Sequence, residues 1–395
     1  MSRQIPIALI VVGAMLAFII WRVAFATKLG RRGQTLATLG SLLVIAFGLS
    51  SLPLGWAITA ENISFLRPLV TAAYLTLAVV GYVFLGLVVV MLASMVWRMV
   101  ADTDSDDGFA PRVRFIRIAT AAAVAIAVAL IGWGYARART PEITHIDYSN
   151  EQVPRGFDGF TIALVTDLHV GPVRDGAWLR DVVEQINAAH PDLIIVAGDL
   201  VDGTPAAIGD DMLPLTELYA PYGVYLTTGN HEFYSGVAEW MEFWNEHDIK
   251  VLDNEAVVIK RGGASFDLVG INDRTGDEPY QPDLQQAVDS LSEWDVKPTD
   301  TKRFRVLAAH QPLQALLYDG LAARLGIDLQ LSGHTHGGQM WPVHALVIMQ
   351  QPVIDGVHEL NGVTVVTSRG AGAWGPPVRV LADPEIVLVT LRRGA

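Results

Sequence analysis

The chain has 395 residues, of which 51% are apolar and none is cysteine, so disulfides, thiolate metal sites and cysteine nucleophiles are excluded. The formal net charge of −13 is unevenly distributed: residues 1–140 hold 12 Lys and Arg against 5 Asp and Glu, whereas residues 141–395 hold 16 against 36, a net of −20. Residues 141–395 are acidic enough that they should repel nucleic acid. A phosphate-containing substrate would need bound cations to approach them.

The first 140 residues form a predicted membrane domain with four apolar stretches. A membrane span needs about 20 residues, and the uncharged stretches cover residues 4–21, 33–60, 68–97 and 118–136. An alternative for the first stretch is an export signal, although no small-residue cleavage site ends it before Arg22 and Lys28. Because transport paths carry ionisable residues at membrane depth, the pattern favours an all-α anchor over a transporter with a regulatory metal domain.

Basic residues near the ends of the stretches predict their orientation. The 22–32 and 98–117 loops together contain eight Lys and Arg, whereas the opposite side contains Arg3, Arg67, Arg137 and Arg139. Positive residues mark the cytoplasmic face. The sequence therefore predicts a multi-pass protein of the cell membrane with residues 141–395 outside the cytoplasm.

Residues 141–157 are predicted to be a linker, and residues 158–395 alternate short apolar runs with helical patterns, which indicates an α/β fold. An amphipathic helix is predicted at residues 175–190. Buried strands are predicted at residues 160–166, 192–197, 223–228, 304–309, 328–331, 363–367 and 386–391. The acidic residues Asp273, Asp277 and Glu278 are expected to form a solvent-exposed loop.

Five of the predicted strands are each followed by Asp, Asn or His. These residues are Asp167 and His169, then Asp199, then Asn230 and His231, then His310, and finally His334 and His336. Ligands of open α/β sheets bind beyond the carboxyl ends of the strands, and such side chains suit divalent ions. The sequence therefore predicts a metal site built from five loops.

The ordered series Asp167-x-His169, Gly198-Asp199-x-x-Asp202, Gly229-Asn230-His231-Glu232, His310 and Gly333-His334-Thr335-His336 resembles the calcineurin-like metallophosphoesterase family. The resemblance covers about residues 158–392. Gly337-Gly338-Gln339, Ser368-Arg369-Gly370 and Pro384-Glu385-Ile386 further resemble a bacterial membrane-associated branch. The resemblance implies a β-sandwich of two mixed sheets flanked by helices, and a hydrolase that acts on phosphoester or phosphoanhydride bonds.

The resemblance also implies roles for individual residues. Asp167, His169 and His336 would bind one divalent ion, Asn230, His310 and His334 would bind a second, and Asp199 would bridge both. His231 would be catalytic, acting on a phosphoryl oxygen or the leaving group. Asp202 and Glu232 would orient ligating groups, and Arg369 would contact a substrate phosphate or form a structural salt bridge. Manganese, iron and zinc all remain open as the metal.

Two cations that share a carboxylate generate hydroxide near neutral pH and clamp an in-line displacement at phosphorus. A binding module that had lost this chemistry would show a missing ligand or a replaced His231, and the sequence shows neither. The short distance from the last span to the first strand favours a lipid-linked or membrane-proximal phosphate. UDP-diacylglucosamine is a candidate by resemblance alone, and the sequence does not separate monoester, diester and pyrophosphate substrates or indicate an oligomeric state.

Overall fold

The computed structural model describes residues 4–59, 61–100, 106–291, 303–317 and 320–394. The chain divides into two compact units. The first contains Met1–Ala57 and Phe65–Ala136, and the second contains Ile58–Ser64 and Arg137–Ala395.

The first unit is helical. Its helices are α1 (Gln4–Ile20), which continues as a π-helix (Trp21–Ala26), α2 (Arg31–Leu49), α3 (Ser51–Trp56), α4 (Ile63–Val100) and α5 (Asp106–Arg137). Large apolar side chains such as Leu43 and Val89 are exposed on them, which suits a lipid environment better than water.

Among the residues that the structure describes, three helical segments are long and apolar enough to cross a membrane: Arg31–Trp56, Ile63–Val100 and Ala110–Arg137. They coincide with three of the four predicted spans. The first apolar stretch is helical as well, but its described apolar part, Val12–Ala26, is shorter than a span requires. The count of four spans therefore stays a prediction.

The second unit contains two mixed sheets, which confirms the predicted fold class. The first sheet has the order β1-β11-β2-β3-β4 and the second the order β5-β6-β7-β8-β10-β9. The strands are β1 (Glu142–Asn150), β2 (Thr161–Val165), β3 (Leu193–Ala197), β4 (Val224–Thr227), β5 (Glu255–Arg261), β6 (Ala264–Gly270), β7 (Arg305–Ala308), β8 (Leu329–Ser332), β9 (Gly356–Leu360), β10 (Val363–Thr367) and β11 (Glu385–Arg393). Within each sheet the strands that carry the motifs run parallel, β2 with β3 and β4, and β7 with β8.

The second unit also contains helices. They are α6 (Gly176–Ala188), α7 (Pro205–Met212), α8 (Asn230–Tyr234), α9 (Val237–Glu246), α10 (Leu284–Asp289), α11 (Leu321–Arg324) and α12 (His344–Val347). Helices α6, α7 and α9 pack against the outer face of the first sheet, α10 and α11 pack against that of the second, and α8 and α12 contribute residues to the cavity described below. The predicted helix at residues 175–190 is α6, which begins after Asp175 because the Asp175 carboxylate accepts a hydrogen bond from the Trp178 amide at 2.9 Å.

The alternation of side chains along the strands creates the sandwich. Ile162 and Leu164 of β2 pack with Phe266 of β6 in the core between the sheets, whereas Ala163 and Val165 face the helices on the outer side. This period-two pattern is what two stacked sheets require. It leaves the loops after β2, β3, β4, β7 and β8 free to meet at one end of the sandwich.

The predicted linker at residues 141–157 is wrong in its first part. Residues Glu142–Asn150 form β1, which pairs in parallel with β11 from Glu142 opposite Glu385 to Asn150 opposite Arg393. Only Tyr148 of this edge strand is buried, so the strand needs few apolar residues and its sequence lacks the signal of a buried strand. Strands β5, β6 and β9 were also not predicted.

Candidate metal centre

The predicted ligands lie on loops with an unusual backbone. Five of them have a positive φ: Asp167 (57°), His169 (48°), Asp199 (56°), His334 (72°) and His336 (52°). Residues other than glycine rarely adopt this conformation, which costs free energy and concentrates at functional sites. These residues lie in the loops that follow β2, β3 and β8, whereas Asn230 after β4 and His310 after β7 do not have a positive φ.

Glycines allow these loops to approach one another. A Cβ atom at Gly333 would collide with the Asp167 carboxylate, and one at Gly229 would collide with the Asp199 carboxylate. The Asp167 carboxylate instead accepts a hydrogen bond from the His334 amide at 3.0 Å. The glycines of the motifs therefore hold the loops after β2, β3, β4 and β8 in contact.

Asp167, His169 and His336 form one group of ligand atoms, all within 4.8 Å of one another. His169 Nε2 lies 3.0 Å from His336 Nε2, which in turn lies 3.3 Å from Asp167 Oδ1. All three residues are buried. Two imidazole nitrogens and a carboxylate that converge in this way are a suitable donor set for a divalent ion.

Asp199, His310 and His334 form a second group within the same limit. His310 Nε2 lies 3.1 Å from Asp199 Oδ2 but without hydrogen-bonding geometry. Within the described part of the chain, His310 Nε2, His334 Nδ1 and Asn230 Oδ1 are buried and have no hydrogen-bond partner. Buried polar atoms are normally paired, so this trio fits a cation. Burial and the nearby His310 lower the pKa of His334 to about 3, which keeps the imidazole neutral as a ligand.

The Asp199 carboxylate lies between these two groups, and it forms a third group of close ligand atoms with His169 and His231. Its Oδ2 atom is 3.1 Å from His310 Nε2 in one group and 3.8 Å from His169 Nε2 in the other. Despite complete burial, the surrounding histidines hold the pKa of Asp199 well below its usual value. This position is compatible with the predicted bridging role, which stays a prediction.

Asp202 contacts a predicted ligand and the predicted catalytic residue together. Its Oδ1 atom lies 3.0 Å from His169 Nδ1 and 2.6 Å from His231 Nδ1. Each imidazole can donate its Nδ1 proton to Asp202, which leaves the Nε2 atoms for the metal group and the cavity. Burial lowers the pKa of His231, but the hydrogen bond to Asp202 and the charge of Asp199 outweigh it and raise this pKa to about 9.

Glu232 orients the backbone of the site and not a ligand side chain. The buried carboxylate accepts hydrogen bonds from the amides of Asp199 at 3.0 Å and Leu200 at 2.7 Å, and also from Gly229. It therefore fastens the loop after β3 to the loop after β4.

Of the two alternatives for Arg369, the structure shows the salt bridge. Arg369 Nη2 lies 2.6 Å from Glu385 Oε2, and Arg369 is not among the described residues that line the cavity at the metal centre. A contact with a substrate phosphate stays a prediction.

Sequence reasoning missed the roles of Arg379 and Asp273, and it also did not predict the apolar residues of the cavity described below. Arg379 is completely buried and donates hydrogen bonds to the backbone carbonyls of His336 at 2.7 Å and Gly370 at 3.0 Å. Asp273 is also completely buried and accepts hydrogen bonds from the Gln311 amide group at 3.0 Å, so its predicted exposure is wrong. Asp273 follows β6, and its position beyond a strand end was the one available signal.

A cavity of about 500 Å³ opens beside the metal centre. Asn230, His231 and His334 form its polar side, and Val343, Leu346 and Trp374 belong to its apolar side. The cavity can therefore receive a molecule that has both a polar and an apolar part.

Comparison with known proteins identifies the family. The sequence model of the calcineurin-like phosphoesterase family matches residues 160–338. An uncharacterized metallophosphoesterase of Aquifex aeolicus is 31% identical over 247 residues, which cover 61% of this chain and 88% of the relative. An uncharacterized metallophosphoesterase of Campylobacter jejuni is 33% identical over 258 residues, 64% of each chain. A transmembrane protein with metallophosphoesterase domain from Bos taurus is 29% identical over 422 residues, which cover 95% of this chain and 92% of the relative.

The chain belongs to the calcineurin-like metallophosphoesterase family, a class of hydrolases that act on phosphoester bonds. Its match spans 64% of the length of the Campylobacter jejuni relative and 59% of that of a Helicobacter pylori relative. The apolar helices of this chain support membrane association.

Proposed function

We propose that the chain is a membrane-anchored hydrolase that cleaves a phosphate ester or pyrophosphate with two divalent ions. The observation that carries the proposal is the convergence of ligand atoms from Asp199, His310 and His334, which lie within 4.8 Å of one another. The loop after β4 adds Asn230, whose buried Oδ1 atom has no hydrogen-bond partner. A second donor group, which includes His169, lies on the other side of Asp199. Family membership supports the same chemistry.

Divalent ions bound there would lower the pKa of coordinated water, polarise phosphoryl oxygens and offset the repulsion between this acidic unit and a phosphate. The protein contributes fixed donors and a positioned histidine. His231 lines the cavity and is held through Nδ1 by Asp202. Its Nε2 is thus available to donate a proton to the leaving oxygen or to stabilise developing charge.

A lipid-linked or membrane-proximal phosphate is the substrate class we favour. Helix α5 ends at Arg137 and β1 begins at Glu142, so a very short segment joins the metallophosphoesterase unit to a membrane-length helix. The apolar side of the cavity supports a substrate with an acyl part. A molecule like UDP-diacylglucosamine fits this description.

We further propose a multi-pass arrangement with the metal centre outside the cytoplasm. Its support is the excess of basic residues in the 22–32 and 98–117 loops over the opposite side.

The test uses the full chain in detergent micelles, stripped with a chelator and reloaded with manganese, iron(II) or zinc. We expect metal-dependent hydrolysis of an aryl phosphate monoester or diester, and loss of this activity in Asp199→Ala. Metal binding without turnover of any phosphate ester or pyrophosphate would instead identify a binding module and overturn the proposal.

A further inference from the structure

Several large apolar side chains on the cavity lining and on the segments next to it are exposed, and together they are called the apolar rim. We use this name for six side chains: Trp341, Leu346, Ile348, Met349, Trp374 and Leu381. Each is more than half exposed, with Met349 at 81% and Leu381 at 74%. Contiguous exposed apolar side chains are unusual on a soluble surface and mark places where another apolar body binds.

The rim is fixed by backbone and amide hydrogen bonds. The Trp341 amide donates to the Val380 carbonyl at 3.0 Å, which holds Trp341 beside the loop that carries Leu381. Gln339 exchanges two hydrogen bonds with the backbone of Trp374, at 2.8 and 2.9 Å. These hydrogen bonds join the segments that carry Trp341, Trp374 and Leu381. The exposed side chains of these three residues therefore belong to an ordered part of the surface.

The charge pattern separates the rim from the rest of this acidic unit. Residues 329–354 contain no Asp, Glu, Lys or Arg, although residues 141–395 carry a net charge of −20. An anionic membrane would repel most of this unit, whereas residues 329–354, which hold four of the six rim residues, carry no acidic side chain to be repelled. Tryptophan is the side chain that soluble and membrane proteins place at the boundary between water and lipid.

The rim is continuous with the cavity that leads to the metal centre. Leu346 and Trp374 line this cavity together with His231 and His334. An acyl chain lying on the rim would therefore bring its head group to the predicted ligands.

We infer that the apolar rim docks onto the lipid bilayer and admits a lipid phosphate from it. The bilayer is the occupant favoured by the chain itself, because the same polypeptide contains membrane-length helices and β1 begins a few residues after α5. Such a tether raises the effective concentration of the membrane surface, so a few inserted side chains are enough for docking. The substrate part of the inference rests on the proposed function, whereas the docking part does not.

The first test measures docking without activity. The chain has no cysteine, so Met349→Cys carries a single environment-sensitive fluorophore in the full-length protein, reconstituted in phosphatidylcholine–phosphatidylglycerol vesicles. Gln286→Cys on α10, an exposed position away from the rim, is the matched control. Lipids with a nitroxide on the acyl chain should quench the fluorophore at position 349 several-fold more than the one at position 286. Equal quenching at the two positions would overturn the docking.

The second test separates docking from chemistry. Met349 and Ile348 do not belong to the described lining of the cavity, so Met349→Asp and Ile348→Asp should leave hydrolysis of a soluble aryl phosphate unchanged. Turnover of phosphatidic acid or UDP-diacylglucosamine presented in the vesicles should fall by about fivefold or more, while Gln286→Asp changes neither rate. Unchanged lipid turnover, or an equal fall on both substrates, would contradict the inference and leave the proposed function standing.

A wild-type chain inactive on all phosphate substrates would end the proposed function, and the quenching comparison would still decide the docking. If the wild type cleaves the aryl phosphate but neither lipid, the quenching comparison alone decides whether the rim meets the bilayer.

Discussion

Asp202 Oδ1 lies 2.6 Å from His231 Nδ1, and the same oxygen atom lies 3.0 Å from His169 Nδ1. One carboxylate thus fixes the ring of a predicted metal ligand and the ring of the predicted catalytic residue. Any change at Asp202 should affect metal binding and turnover together.

Replacing Asp202 with Asn tests this shared role. We expect metal affinity and kcat each to fall by about 10–100-fold, because the amide no longer fixes the donor atoms of both imidazoles. The measurement is a metal titration of turnover, which separates affinity from the rate at saturating metal. Asp210→Asn, an exposed position on α7, is the control, and a kcat equal to wild type at saturating metal would contradict the role toward His231.

Replacing Asp199 with Ala should lower the occupancy of both metal positions. The carboxylate lies between the two donor groups, so its loss removes a ligand from each. Elemental analysis of the purified chain gives the metal content directly. His334→Ala is the comparison, because it removes a predicted ligand from the group of Asp199 and His310 only. This variant should retain the ion bound by Asp167, His169 and His336. Finding two ions per chain in Asp199→Ala would show that it does not bridge.

His231→Ala should keep the metals and lose rate. A group that acts on the leaving oxygen contributes roughly 10²–10⁴-fold, and the substitution removes none of the predicted ligands. We expect the larger loss for an alkyl phosphate, whose leaving group needs a proton, and a smaller loss for a nitrophenyl phosphate. Equal losses for both leaving groups would argue against proton donation, and metal loss would move His231 to the ligand set.

The proposed topology can be tested on intact cells. Protease added to spheroplasts should digest the metallophosphoesterase unit, because the basic 22–32 and 98–117 loops mark the cytoplasmic side. A cytoplasmic marker protein must survive the same treatment. Digestion of the unit that begins only after lysis would place it inside the cytoplasm.

Sequence reasoning found the parts of the fold that have a strong local signature. The seven predicted strands are present, and the motif residues after five of them lie together because parallel strands end at the same edge. Edge strand β1 was not predicted because its pairing with β11 depends on backbone contacts and buries hardly any apolar side chain. Its existence depends on a partner more than 200 residues away in the chain, which no local pattern contains.

At the site, too, residues with a local sequence motif were predicted and residues that depend on tertiary partners were not. The ligands follow strands in recognisable motifs, whereas Arg379 lies in a loop with no motif and acts on backbone carbonyls that only the folded chain brings together. Asp273 was predicted to be exposed because neighbouring residues are acidic, yet Gln311 satisfies its carboxylate in the interior. Both cases depend on tertiary partners, and a single sequence does not reveal those.

The left-handed backbone at the ligands restricts which replacements the loops tolerate. Asp167 and Asp199 have φ values of 57° and 56°, a conformation that asparagine adopts more readily than most residues and β-branched residues avoid. Asparagine at either position would preserve the shape of the loop while changing only its chemistry. Valine would disturb the shape of the loop and also remove the ligand atom. The backbone geometry therefore limits which residues can occupy these positions, independently of any selection for metal binding.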